Sequence, residues 1–238
     1  MTENRMLLSR IAGVLYLIVI ITGLFSLMFV PKNLFVYGNA LETAQNIYQK
    51  TGMFRISLAS SVICYLAFTF LVIFLYQILS TVDIFTARVM MILALISVPI
   101  SFYNLINKYA ILDLIKDNTS DLVQKSPKIM ELLNNYDNGI FILTVFWGLW
   151  LLPFGFLVFK SGFYPRIIGV LLMIGCFGYL INFFGNTLYD DYQNILVLQY
   201  LKLLPTLGEF SICFWLLVVG ARQKSLKINN YENRTTRL

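Results

Sequence analysis

Six stretches of this sequence are long and nearly free of charge, and no other feature limits the fold so strongly. Crossing about 30 Å of hydrocarbon as an α-helix takes roughly 20 mainly apolar residues, and in lipid every backbone N–H and C=O must be paired within the protein. The stretches lie near residues 11–30, 54–79, 86–107, 138–159, 164–184 and 196–219. They predict an all-α integral membrane protein, a bundle of six transmembrane helices. Charged residues make up only 13% of the 238, about half of the roughly 25% usual in soluble domains.

The first run, IAGVLYLIVIITGLFSLMFV, follows Arg5 and Arg10 as the apolar core of a secretory signal would. Its apolar region is about twice the usual length and no A-x-A site follows, so it is expected to stay as an uncleaved first span. The connections at 1–10, 80–88, 160–166 and 220–238 hold ten Lys and Arg in 45 residues, and those at 31–55, 108–137 and 185–202 hold eight in 73. By the positive-inside rule the denser side, with both termini, is cytosolic in a cell (plasma) membrane. Residues 1–220 then form a single six-helix domain, and 221–238 a basic, disordered tail able to meet anionic lipid. A net charge of +6 placed at span ends serves topology, so nucleic acid is not an expected partner. The expected partners are the bilayer, anionic lipid and a small solute or ion.

Two outer connections carry helical patterns. In GNALETAQNIYQKTG, Asn39 followed by Glu42 reads as a capping box, with Leu41, Ala44, Ile47 and Tyr48 on one face. In SPKIMELLNNYDNG, Ser126 then Pro127 reads as an N-cap and first helical residue, with Ile129, Leu132, Leu133 and Tyr136 on one side. Both are expected to be short amphipathic helices at the outer interface. A partial repeat, RIAGVLYLI at 10–18 and RIIGVLLMI at 166–174, reads as a shared device for starting a helix: Arg at the headgroups, then Gly where helices approach closely.

Histidine is absent, which excludes Ser-His hydrolases, Cys-His nucleophiles, H-E-x-x-H peptidases and haem ligation by His. Cys64, Cys176 and Cys213 lie in apolar runs without C-x-x-C spacing and read as packing residues. No cofactor or metal is expected.

Within LLPTLGEFSICFWLLVVGAR, residues 203–222, Glu209 is a single carboxylate in an apolar run. Counted from Val219 it lies about 15 Å deep, where an ionised side chain costs a few kcal/mol or more. In the third span Ser97, Ser101, Asn104 and Lys108 recur at steps of four, three and four, forming one polar stripe. The fifth span places Asn182 in a row of small residues, Gly175, Gly178 and Gly185. Arg55 opens the second span, and Asp137 with Asn138 opens the fourth. The expected site is a polar cluster of Glu209, Arg55, Ser101, Asn104, Lys108 and Asn182 in the outer half of the bundle, with Arg55 or Lys108 as the counter-ion of Glu209.

Three functions fit this pattern. The favoured one is a non-enzymatic membrane module whose buried ion pair fixes helix register. The second is a small-solute or proton-coupled transporter or binding protein using Glu209. The third is an intramembrane enzyme with Ser97 or Ser101 beside Lys108. Trp147, Trp150 and Trp215 are expected in span packing or interface belts.

The segments RIAGVLYLIVIITGLF, FKSGFYPRIIGVLLMIGCFGYL at 159–180 and GEFSICFWLLVVGAR at 208–222 resemble the bacterial integral-membrane family known as domain of unknown function 4386. The resemblance covers nearly the whole chain, and its most specific part is S-G-F-Y-P-R-I-I-G, Ser161 to Gly169. It implies a bacterial multi-pass membrane protein and carries over no catalytic or binding role. Glu209, Trp215 and Gly220 are similar to the family's last-span pattern, and Arg55 to the basic residue that opens its second span.

Overall fold

The apolar runs form helices, and the helices extend beyond the runs. The structure, a computed structural model, describes residues 2–117, 121–189, 191–192 and 203–221, and among these it contains helices and turns but no strand. The first rod joins α1 (Thr2–Leu24), a π-helical segment (Phe25–Phe29) and α2 (Val30–Leu34). There follow α3 (Ala40–Gln49), α4 (Thr51–Leu79), α5 (Ile84–Lys116), α6 (Leu122–Leu149), α7 (Leu151–Ser161), α8 (Arg166–Leu188) and α9 (Leu203–Val218). Five rods, Asn4–Leu34, Thr51–Leu79, Ile84–Lys116, Leu122–Ser161 and Arg166–Leu188, are long and apolar enough to cross a membrane. α9 has 16 described residues. The first part of the expected sixth span, 196–202, and the expected tail at 222–238 lie outside the described residues.

Two irregularities have a proline as their cause. Pro153 has no N–H to give the Leu149 carbonyl, four residues back, and the fourth rod breaks between Leu149 and Leu151. In the first rod the Val30 N–H reaches back five residues to the Phe25 carbonyl, and Pro31 follows. The Ser26 carbonyl thereby loses both backbone donors in reach, one by register and one by chemistry.

The rods close into a ring. α1 packs on α4, α4 on α5, α5 on α6 and α7, these on α8, α8 on α9, and α9 on α1. The last contact depends on Gly13, where a Cβ would stand 2.7 Å from the Leu217 nitrogen and 2.9 Å from the Leu216 carbonyl carbon. Gly169, its counterpart in the partial repeat, meets the Gly155 carbonyl oxygen and the Phe159 nitrogen as closely. Both glycines are therefore sites of close helix approach, as the repeat predicts.

Two clusters of buried side chains fill the ring. One, around Tyr16, Leu71, Leu75, Met90, Trp150, Phe154 and Leu216, occupies the end that holds both the start of α1 and the end of α9. At this end Gly220 faces Met6 and Ser9, Arg5 lies over the Phe163 ring and Lys160 pairs with Asp83 at 3.5 Å. Asp83 caps α5, and the Thr86 backbone N–H, with Lys160 assisting, holds its carboxyl below the usual carboxylate range. The other cluster, around Leu34, Ile47, Phe54, Ile111, Leu133 and Tyr136, fills the opposite end.

Of the two expected amphipathic helices, the first region forms α3. Asn39 Oδ1 accepts the Glu42 N–H at 3.1 Å, and Asn39 Nδ2 donates to the Glu42 carboxylate at 2.8 Å. α3 buries Thr43, Ala44 and Ile47, whereas Tyr48 is exposed. The second region is not a separate helix. Residues 126–136 are part of α6, which starts at Leu122 with Asp121 as its N-cap, and Ser126 is a buried interior residue whose hydroxyl donates to the Val123 carbonyl. Nothing between Pro127 and the span breaks the helix. Its apolar face, Ile129, Leu133 and Tyr136, packs on α5 and α3, because α5 also runs on to Lys116.

A hydrogen bond ties the α2–α3 connection to α6: the Tyr37 hydroxyl donates to Asp137 Oδ2 at 2.7 Å. Partial burial and then this bond hold the Tyr37 hydroxyl above its ordinary pKa. A group with a raised folded value stabilises fully below its unfolded pKa, about 10 for tyrosine, and loses that contribution as pH rises past the folded value. As far as the Tyr37 proton is concerned, the tie is therefore expected to hold across neutral pH and to be lost in strong alkali. Tyr37→Phe should cost about 0.5–1 kcal/mol, allowing for the exposure of Tyr37, and should speed amide hydrogen exchange in α3 at neutral pH. Unchanged α3 exchange in that variant would show that the bond does not hold the connection.

Candidate functional site

The ring does not pack solid. Between the two core clusters lies a cavity of about 230 Å³, walled by α1 and its π segment, α4, α5, α6 with Trp150, α8 and α9. Its polar lining includes Glu209 and the hydroxyls of Ser26, Ser97, Ser101 and Thr206. Aromatic side chains supply much of the rest.

Glu209 is placed by the contact that closes the ring. Gly13 brings α9 against α1, and Cys213 Sγ lies 3.8 Å from the Gly13 carbonyl oxygen. One turn beyond Gly13, the Tyr16 hydroxyl donates to Glu209 Oε1 at 3.3 Å. Tyr16 is buried. Glu209 keeps some accessible surface although protein surrounds it, because one side of it faces the cavity.

The expected counter-ions are elsewhere. Among the described residues the ion pairs are Lys125–Asp117, Lys128–Glu131 and Lys160–Asp83, and Glu209 is in none of them. Arg55 is exposed on α4, beside the buried Phe54 and Leu58. Lys108 is completely buried, donates to the Ser26 carbonyl at 3.5 Å and lies 4.1 Å from the centre of the Tyr136 ring. The reason is the orphaned carbonyl left by the π segment and Pro31: a buried acceptor without a donor costs about 1–3 kcal/mol, and Lys108 supplies the donor.

The other expected site residues divide in the same way. Ser97, Ser101, Asn104 and Lys108 are all buried, so the stripe on α5 faces inward along its whole length. Ser97 and Ser101 border the cavity; their hydroxyls donate to the Ala94 and Ser97 carbonyls at 2.7 and 2.8 Å, and the hydrogen bond of Lys108 goes to Ser26. Asn104 sits beyond it, donating to the Tyr136 carbonyl at 2.8 Å, with its carboxamide packed where Gly139 has no side chain. Asn182 is half-buried on α8, and its Oδ1 accepts from Asn186 Nδ2 at 3.1 Å. The structure thus brings Glu209 and Ser101 to one cavity, Lys108 and Asn104 to a network above it, and leaves Arg55 and Asn182 outside both.

Sequence reasoning missed Tyr16, Trp147, Trp150 and Tyr179 as wall residues. Tyr16 had a readable signal, since a phenol in the middle of an apolar span needs a hydrogen-bond partner. Trp150 does pack, stacked on Phe154 at 5.1 Å and edge-on to Phe68 at 5.3 Å, and it also borders the cavity. Chemically the site offers one carboxyl, hydroxyl oxygens and aromatic faces. Among the described residues no group of three His, Cys, Asp or Glu side chains is placed to hold a metal.

The family described as Domain of unknown function (DUF4386) matches residues 11–220, and the chain belongs to this family. The match takes in the cavity wall from Tyr16 to Phe210. The chain matches no curated protein and no solved structure.

Proposed function

We propose that this member of the family is a non-enzymatic membrane protein that binds or carries a small solute in the intramembrane cavity, with Glu209 as its polar anchor. One observation supports this over a structural ion pair: the Glu209 carboxyl faces a cavity of about 230 Å³, with Tyr16 as its hydrogen-bond donor and no described Lys or Arg in pairing range. An acid kept only for register would be sealed against a cation, since an open cavity lowers packing and leaves a carboxyl to be solvated by something else. In this reading six helices cross a bacterial plasma membrane, the last over 196–219, with both termini cytosolic. α3 then lies at the outer interface, and the basic tail meets anionic lipid.

The test uses the full chain in lipid nanodiscs. Two of its three tryptophans, Trp147 and Trp150, border the cavity, so their emission reports what occupies it. Indole, benzyl alcohol and benzyltrimethylammonium form a probe panel; at least one is expected to shift the emission saturably and raise the melting temperature. Ser101→Met, which projects a longer side chain into the cavity, should weaken that shift. Glu209→Gln should stay within about 1 kcal/mol of wild type in stability, because its amide oxygen still accepts from Tyr16. No saturable response to any probe, with a large loss of stability in Glu209→Gln, would establish the register role and overturn this reading.

A further inference from the structure

We infer that the solute is an organic cation, a substituted ammonium on an apolar or aromatic body, reaching the cavity from the lipid phase; this rests on the solute-binding reading above. The first ground is charge. Among the described lining residues Glu209 is the one ionisable acid or base apart from tyrosine and cysteine, and none of them is Lys or Arg.

The second ground is the direction of the hydrogen bonds. Ser26, Ser97 and Ser101 each donate to a carbonyl of their own helix, and Tyr16 donates to Glu209. These groups have used their protons, so toward a guest they present lone pairs. These four oxygens, grouped with the Glu209 carboxyl, suit a cation better than an anion. The rings of Tyr65, Phe68, Trp147, Tyr179 and Phe210 complete the wall, and aromatic faces attract a cation through their quadrupole while accommodating an apolar body.

The third ground is the position of the opening. Leu24, Thr206 and Phe210 belong to the cavity wall and keep exposed surface, and they stand on α1 and α9, which pack together. Leu24 is 42% and Phe210 45% exposed. In a membrane protein this surface faces hydrocarbon, so a guest passing there must partition into lipid. An amphiphilic ammonium does so; a bare metal cation or a sugar does not.

The experiment compares benzyltrimethylammonium with neopentylbenzene, its neutral carbon isostere, by tryptophan emission in nanodiscs of zwitterionic phosphatidylcholine, which does not itself concentrate cations. The cation is expected to bind at least about tenfold tighter, the gain that a desolvated carboxylate and ring faces give an ammonium over its isostere. Glu209→Gln should bring that ratio to within about threefold, chiefly by weakening the cation, with a cooperative melting transition close to that of wild type. Equal binding of both compounds, weakened by Ser101→Met, would overturn the cation inference and leave the solute site standing. Binding of neither compound would overturn the cation inference as well, and if the rest of the panel also fails, the solute reading falls with it.

Discussion

Gly13→Ala is expected to destabilise the protein by about 2 kcal/mol, although the same exchange in an open helix would stabilise it. Alanine is favoured over glycine in a helix interior by about 1 kcal/mol. Against this, the new Cβ would sit 2.7 and 2.9 Å from backbone atoms of Leu217 and Leu216. Neither atom belongs to a side chain that can rotate away, so α9 must shift as a body. Overpacking of this kind costs about 1–3 kcal/mol, and backbone obstacles put it at the upper end. The steric loss therefore outweighs the propensity gain. The internal control is Gly52→Ala in the first turn of α4, where nothing lies within 4 Å of the added atom; it is expected to be neutral or stabilising by up to about 1 kcal/mol. Thermal unfolding in one detergent, run on both variants, measures the difference. If Gly13→Ala proves as stable as wild type, the α1–α9 approach does not close the ring, and the Tyr16–Glu209 contact loses its structural basis.

Lys108→Ala is expected to be less stable than Lys108→Met by about 2–4 kcal/mol, the packing of the buried stem. Lys108 is fully buried, and removing a long buried stem costs about 2–5 kcal/mol in packing and cavity terms. Alanine also leaves the Ser26 carbonyl without the donor that Val30 and Pro31 do not provide, about 1 kcal/mol or more. Methionine restores the stem but not the donor. Both substitutions remove an ammonium whose burial without a carboxylate within ion-pair distance costs several kcal/mol, offset only partly by about 2 kcal/mol from the Tyr136 ring, so this relief is common to the two and the stem sets their difference. The expected order of melting temperatures is Lys108→Ala lowest, with Lys108→Met close to wild type. If methionine is as damaging as alanine, the ammonium itself holds this end of the bundle, and the accounting above has the wrong sign for the charge.

The elements were largely legible in the sequence because their causes are local. An apolar run of sufficient length forms a helix in lipid whatever surrounds it; the first four expected spans fall within the long rods and the fifth, 164–184, lies in its rod from Arg166 on. The cap at Asn39 and the close approaches at Gly13 and Gly169 follow from residue type and spacing over a few positions. The continuation of α6 through residues 126–136 was missed because a capping pattern is permissive: Ser126 followed by Pro127 allows a start without forcing one. The face it exposes was already matched by the long extension of α5. The inward stripe from Ser97 to Lys108 was readable; that it divides between a cavity and a closed network was not.

What the sequence determines by itself is that this chain makes apolar helices long enough to cross a membrane and that Glu209 stands within an apolar helical run, since hydropathy and backbone pairing act along a single segment. The tertiary structure decides the partners. Tyr16 and Glu209 are 193 residues apart, and they meet because a missing side chain at Gly13 lets two backbones come together. Lys108 turns to Ser26 because a register shift and a proline strip that carbonyl of its donors. Both outcomes are set by which backbones touch and which groups are left unpaired when they do, and those are properties of the assembled ring and of no single helix.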